Sequence, residues 1–364
     1  MPKLPSRRWW MRLALGAAWT PIAAEIFLRL LAPVPMLPRY IEAGPHGVRA
    51  NMPSRTYRHQ TPEYTVEIQT NSQGMRADTD FEKSKPKGTR RIAILGDSFG
   101  MGYGVNLEDS SLHLLGEMLE DELNCPIEIL NFSVSGFGPA EELVVLESEV
   151  LQYAPDLVIQ YFFSNDPTDD LRAGLFTLKD GELIRSGKEY LPAVKIREFL
   201  FSFPIYRWLA GESHLYNLAR DRAGATAKQL LAAARSSTKS KSTSNAIEDA
   251  KPDVKPMPGG VTPAQWLTLN ILDRIRKSAG EAGAGFLVLS IPQRTGRTKF
   301  LDRFPYSDDL QFDVVVPMSR FEAADGEMLY WERSHGHWTP LGCKLVADAL
   351  AERIITDDLI KSCQ

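Results

Sequence analysis

A serine and a histidine far apart in this sequence have the chemistry to transfer an acyl group together. Ser98 follows the apolar run Arg91-Ile-Ala-Ile-Leu95 and stands in the turn-forming triplet Gly96-Asp97-Ser98. A hydroxyl is a poor nucleophile until a neighbouring base takes its proton. His337, in Ser334-His-Gly-His337, is the base candidate because histidine titrates near neutral pH. Each also has a plainer reading. Gly-Asp-Ser can be a turn and helix cap, and His337 beside Trp338 can be a packed surface histidine. Gly136, in Ser135-Gly-Phe-Gly138, suits a backbone N–H approached closely by a ligand, or it serves the turn alone. Asn165-Asp166 can equally cap the segment that follows through Asx turns.

The elements that must position these residues alternate. Strands are read at Arg91–Leu95, Ile127–Phe132, Leu157–Phe163 and Phe286–Ile291, with a fifth candidate at Phe312–Val316. Helices lie between them. One is capped by Ser110 or Ser111 and carries Leu112, Leu115, Leu119 and Leu123 on one face. Another runs from about Ala140 to Tyr153. The last two open on Thr262-Pro263 and Thr339-Pro340, each a good N-cap followed by a good first position. Continuously apolar strands alternating with helices predict an α/β protein, a mainly parallel sheet covered on both faces. In such a sheet the chemistry lies outside the carboxyl ends of the strands, where Ser98, Gly136 and Asn165 fall.

Four blocks in order carry a resemblance. Ile94-Leu-Gly-Asp-Ser-Phe-Gly-Met-Gly-Tyr-Gly-Val105, Asn131-Phe-Ser-Val-Ser-Gly-Phe-Gly138, Ser164-Asn-Asp166 and Ser334-His-Gly-His-Trp-Thr-Pro-Leu-Gly342 together resemble the SGNH/GDSL hydrolase family over about residues 90–355, with a large insertion. The resemblance implies a three-layer α/β/α sandwich of flavodoxin-like topology and an ester hydrolase (acylhydrolase) activity without a cofactor. It implies Ser98 as nucleophile and His337 as base. It also implies an oxyanion hole of the Ser98 and Gly136 backbone N–H groups and the Asn165 side-chain amide. A single donor of that kind is worth about 3–4 kcal/mol of transition-state stabilisation. O-acetyl esters on cell-envelope or exported carbohydrate are the substrate class implied, by hydrolysis or by transfer.

Two positions depart from the family pattern. The glycine expected two residues before Asn165 is Phe163, which alters the shape of the pocket. The acid expected two or three residues before His337 is replaced by His335 and Ser334. In a serine protease triad the loss of that acid costs about four orders of magnitude in turnover. His335 and Glu332 are the candidate orienting partners, and a dyad leaning on a backbone carbonyl is another arrangement. The missing acid is also what favours the competing class, a non-catalytic module that binds acylated glycans or a partner protein.

Other chemistries fit less well. Gly136-Phe-Gly-Pro-Ala-Glu141 lacks the third glycine of a dinucleotide loop, and Glu141 would repel a pyrophosphate. Gly100-Met-Gly-Tyr-Gly104 has no lysine after it and is no phosphate loop. His335 and His337 offer two imidazoles to a metal, but no further histidine cluster supports a metal site. A net charge of -4 without a basic stripe argues against nucleic acid as a partner. Cys125, Cys343 and Cys363 are too scattered for a disulfide framework.

Residues 1–33 place Lys3, Arg7, Arg8 and Arg12 before an apolar run interrupted by Glu25 and Arg29, which reads as a membrane anchor or signal-like segment. The positive end inside places the following domain on the periplasmic or extracellular side. An amphipathic helix packed on the domain is the alternative. Residues 34–89 read as a linker with a short strand at Tyr64–Gln69, and 90–360 as the hydrolase domain. Within it, the insertion 171–260 is aromatic-rich and mostly helical at first and expected to be disordered over about 235–260. Because it emerges just after Asn165, it is expected to wall or lid the pocket.

Overall fold

In the computed structural model the described residues are 7–34, 40–192, 194–224, 226, 260–324, 326–334 and 336–363. They fall into two compact units, one within 1–38, 58–65 and 197–251 and the other within 39–57, 66–196 and 252–364. The expected disordered stretch of about 235–260 lies, but for Gly260, outside the described residues.

The larger unit is built on a five-stranded, wholly parallel sheet. Its strands are β5 (Arg90–Leu95), β6 (Ile127–Asn131), β7 (Leu157–Phe162), β10 (Gly285–Ser290) and β13 (Asp313–Val315), in the order β13-β10-β7-β5-β6. The strand predicted at Phe312–Val316 is thus the sheet's edge. The order reverses direction between β5 and β7, which opens a crevice at their carboxyl ends.

Helices cover both faces. α2 (Ser111–Leu123), α9 (Met318–Ala323) and α10 (Pro340–Thr356) share a core with Ile92, Ile94, Leu157, Ile159, Leu287 and Leu289. α3 (Pro139–Ser148) and α8 (Pro263–Glu281) share the other with Ala93, Leu95, Val158 and Val288, and α4 (Asp166–Ala173) packs beside them. Alternate residues of one strand therefore enter opposite cores, as the two-residue strand period requires. The local signals are met in the chain itself. Ser110 accepts the His113 N–H at the start of α2, Thr262 and Gln265 form a capping box for α8, and Thr339 accepts the Gly342 N–H for α10. Leu112, Leu115 and Leu119 are buried on α2, each worth about 1.5–3 kcal/mol of transfer free energy.

Two segments differ from the sequence reading. Residues 34–89 carry four strands rather than one: β1 (Ile41–Ala43), β2 (Arg49–Asn51), β3 (Arg55–Gln60) and β4 (Thr65–Thr70). The insertion, read as helical from its start, opens with an antiparallel hairpin, β8 (Phe176–Lys179) and β9 (Glu182–Arg185). Asp180 and Gly181 both take positive φ, 53° and 82°, so the Asp-Gly pair makes the two-residue turn that matches strand twist.

The smaller unit contains α1 (Arg7–Leu31), α6 (Pro204–Glu212), a helical segment α7 (214–224) and most of α5 (Val194–Phe201). α1 is long and apolar enough to cross a bilayer, by length and composition.

Candidate active site

The site is assembled by three loops at the carboxyl ends of β5, β6 and β7. After β5 the chain turns at Asp97, whose Oδ1 accepts the Phe99 N–H at 2.8 Å. The aspartate thus makes the turn and leaves Ser98 to face outward. Ser98 is partly exposed between fully buried neighbours. His337 arrives from the segment before α10, held by the pairing of Tyr330 with Trp338 and by the Trp331 N–H donating to the His337 carbonyl at 2.8 Å. The decisive contact is between side chains: His337 Nε2 lies 2.7 Å from Ser98 Oγ, across 239 residues of sequence. A packed surface histidine has no reason to make it.

The imidazole packs against two aromatic rings. Its ring centroid lies 4.8 Å from that of Phe99 and 4.9 Å from that of Tyr103, so two aromatic rings fix its plane. Aromatic faces attract a cation, by about 0.5–2 kcal/mol, which favours the imidazolium that proton transfer creates. Phe163, standing at the family's glycine position, packs on Phe99 at 4.9 Å and extends this aromatic wall. Of the two candidate orienting partners, Glu332 is surface-exposed and pairs with Arg294 at 3.3 Å. His335 lies outside the described residues. Ser334 is buried.

The predicted oxyanion donors occupy the neighbouring loops. Among the described residues, the backbone N–H groups of Ser98 and Gly136 donate to no other backbone carbonyl. Gly136 has φ of +84°, a region that favours glycine, and an added Cβ would come within 2.9 Å of Arg49 Nη1. Asn165 is the N-cap residue of α4, yet its side chain makes no capping bond. Its amide instead donates to Asp169 Oδ2 at 2.5 Å, and Asp169 is held in turn by Arg172. Capping therefore does not account for this asparagine.

The segment read as a linker grips both loops, and none of this was visible in the sequence pattern. Arg76, 3% exposed, donates to the carbonyls of Met101, Gly102 and Val105 in the nucleophile loop. Asn51 donates to the Ser133 carbonyl at 3.0 Å, and Tyr40 meets the Ser135 hydroxyl at 2.5 Å. Arg49 donates to the carbonyls of Gly136 at 2.5 Å and Ser135 at 3.4 Å. The same guanidinium makes a two-oxygen ion pair with buried Glu141 and lies over the Phe137 and Tyr190 rings.

Behind the loops is a layer of buried carboxyls. Desolvation raises Asp97 to about 7 against the hydrogen bond from Phe99, and the nearby Asp169 charge adds to the rise. Burial likewise raises Glu141 to about 7 despite Arg49, and Asp170 to about 7 despite hydrogen bonds from Thr268 and Ala140. Burial pushes Glu142 and Asp166 well up, the charges of Asp170 and Asp97 add to both, and that of Glu142 adds to Asp166. Asp170 has a visible task, joining α3 to α8 through the Ala140 N–H and the Thr268 hydroxyl. Among the described residues no group of three or more histidine, cysteine or acidic side chains is arranged to hold a metal ion.

No protein-family model matches the chain, and a search of curated proteins finds no match. Solved structures do resemble it. Those it is similar to include lipases, esterases and lipolytic proteins of the G-D-S-L family. A member of the lipolytic protein G-D-S-L family from Veillonella parvula is 10% identical, covering 72% of this chain and 97% of its own, with a TM-score of 0.36. The psychrotrophic esterase EstA from a Pseudoalteromonas species is 16% identical over 73% of this chain and 97% of its own, with a TM-score of 0.37. A two-domain esterase active on acetylated mannans is 11% identical, covering 74% of this chain and 50% of its own, with a TM-score of 0.38. At these scores the likeness carries no chemistry across, and function has to be read from the residues.

Proposed function

We propose that this chain is a serine-dependent carboxylic ester hydrolase in which Ser98 is the nucleophile and His337 the base. The observation that carries the reading is the 2.7 Å contact between Ser98 Oγ and His337 Nε2. Ser98 Oγ attacks the ester carbonyl while its proton passes to His337 Nε2. The negative charge that develops on the carbonyl oxygen is met by the N–H groups of Ser98 and Gly136 and the amide of Asn165. The intermediate collapses with loss of the alcohol, which takes the proton from His337. Water then attacks the acyl-serine with the same base, releasing the acid and restoring Ser98.

Phe99 and Tyr103 hold the imidazole in register with Ser98, which supplies orientation, the part of a triad acid's role that packing can replace. The substrate class we propose is an acyl ester, O-acetylated carbohydrate in particular, with transfer to a second hydroxyl as the alternative to water. The insertion after Asn165 is proposed to shape acceptance of that substrate. α1 is proposed to anchor the chain in a membrane with the hydrolase on the periplasmic or extracellular side.

The test is turnover of p-nitrophenyl acetate, butyrate and longer esters, with Ser98→Ala beside the parent. Release lost in the variant supports the reading. Equal background release from both would transfer weight to a module that binds acylated ligands without cleaving them, the reading the missing acid favours.

A further inference from the structure

Beyond its basic start at Arg7, Arg8 and Arg12, α1 carries two charges, Glu25 and Arg29, and the smaller unit shows what they hold. The Glu25 carboxylate accepts the Ser213 hydroxyl at 2.9 Å and the N–H groups of His214 at 3.0 Å and Leu215 at 2.8 Å, where α7 begins. Arg29 pairs with Glu25 at 2.8 Å and donates to the Glu212 carbonyl at 2.5 Å. The Val34 N–H donates to His214 Nδ1 at 3.0 Å. Two consecutive turns of α1, and Val34 just beyond its end, are thus bolted to the corner between α6 and α7. The anion sits at a helix N-terminus, where backbone N–H groups and the helix dipole both favour it.

This bolt fixes a depth. The apolar span Arg8–Leu31 has 24 residues, about 36 Å at 1.5 Å per residue, and exceeds the roughly 30 Å hydrocarbon core. Glu25 lies six residues before Leu31, so the attached corner sits about 9 Å below the helix end. That is the depth at which interfacial helices lie, about 5–10 Å into the boundary between headgroups and acyl chains. The same unit exposes large apolar side chains. Ile205 is 71% exposed, Trp208 54%, Phe199 65% and Phe203 47%, while Tyr206 packs its ring inward on Phe201 and Tyr216. Arg207, exposed on the same short helix, can reach anionic headgroups.

We propose that the exposed apolar side chains of Phe199, Phe203, Ile205 and Trp208 form a second membrane contact, seated in the headgroup–acyl boundary at the C-terminal end of α1. The proposal rests on the reading of α1 as an anchor and is independent of the hydrolase chemistry. The occupant is a phospholipid leaflet, identified by the hydrogen bonds that fasten the α6–α7 corner to α1, whose Ile26, Phe27, Leu30 and Leu31 are also exposed.

The test uses the full chain with Cys363→Ser, the other two cysteines being buried. Ile205→Cys and Trp19→Cys are each labelled with the fluorophore NBD and reconstituted into phosphatidylcholine/phosphatidylglycerol vesicles containing shallow or deep doxyl-labelled lipid. The expected result is blue-shifted emission at both sites, position 205 quenched by the shallow label and position 19 by the deep one. Quenching at 19 with water-like emission at 205 overturns the second contact while leaving the anchor. Water-like emission at both sites overturns the anchor and the proposal together. Blue-shifted emission at 205 that no lipid label quenches means protein covers the patch, and that also overturns the proposal.

Discussion

Replacing Arg49 by methionine separates a positioning role from a merely structural one. The position keeps its aliphatic volume in the substitution but loses the hydrogen bonds to the carbonyls of Ser135 and Gly136 and to both oxygens of Glu141, and the cationic contacts with the Phe137 and Tyr190 rings. Its side chain is 12% exposed and that of Glu141 1%. Removing one partner of a buried pair costs about 3–5 kcal/mol. Glu141 can relieve part of this by protonating, since burial already brings it to about 7, so the lower end, about 3 kcal/mol, applies. At about 2–4 °C per kcal/mol, the Tm should fall by about 6–12 °C. The effect on catalysis is separate. The guanidinium holds the carbonyl side of the loop that presents the Gly136 N–H. If that donor drifts, kcat should fall by up to about 100–1,000-fold while KM changes little. Arg49→Lys retains the charge beside Glu141 but not the fork, and should restore most of the stability and only part of kcat. The assay is p-nitrophenyl acetate turnover, well below each variant's Tm, beside a thermal melt. A methionine variant that melts early but keeps kcat within about twofold of the parent would refute the positioning role.

Two further outcomes follow from the same geometry. Asp97, Glu141 and Asp170 are each raised to about 7 in the fold, so between about pH 4 and 7 the folded state binds more protons than the unfolded one. Stability should therefore fall as pH rises through that window, at about 1.4 kcal/mol per pKa unit for each group, and urea midpoints at pH 5 and 8 check it. A midpoint that is flat or higher at pH 8 contradicts the burial of these carboxyls. Tyr103→Leu removes one of the two rings beside His337 and should lower kcat by about 2- to 30-fold, the rate equivalent of 0.5–2 kcal/mol, without comparable loss of stability. Unchanged kcat would mean that the imidazole is oriented by something else.

Much of the scaffold was legible because it is written in local signals. Apolar strands that stop at glycine or asparagine, and the caps at Ser110, Thr262 and Thr339, each announce themselves within a few residues. The convergence of Ser98, Gly136 and Asn165 on one sheet edge is legible because each follows a strand, and the proposed roles of these residues and of His337 come from the order of the blocks. The Asp180-Gly181 turn was equally local and was passed over, its flanking residues being read as the start of a helical region. Arg49, Asn51 and Arg76 are a different case. They act through side-chain bonds to carbonyls 25 to 87 residues away, which leave no periodicity, and a buried arginine in a polar stretch looks like a solvated one. The rings that pack on His337 are hidden for the same reason: Phe99 and Tyr103 stand in a block quoted for its serine.

The most direct test of the central claim is covalent labelling with a fluorophosphonate, followed by mass mapping of the modified peptide. The account predicts one adduct, on Ser98, lost in Ser98→Ala and formed far more slowly in His337→Gln. An adduct on another residue, or labelling of Ser98 at the same rate without His337, would contradict it.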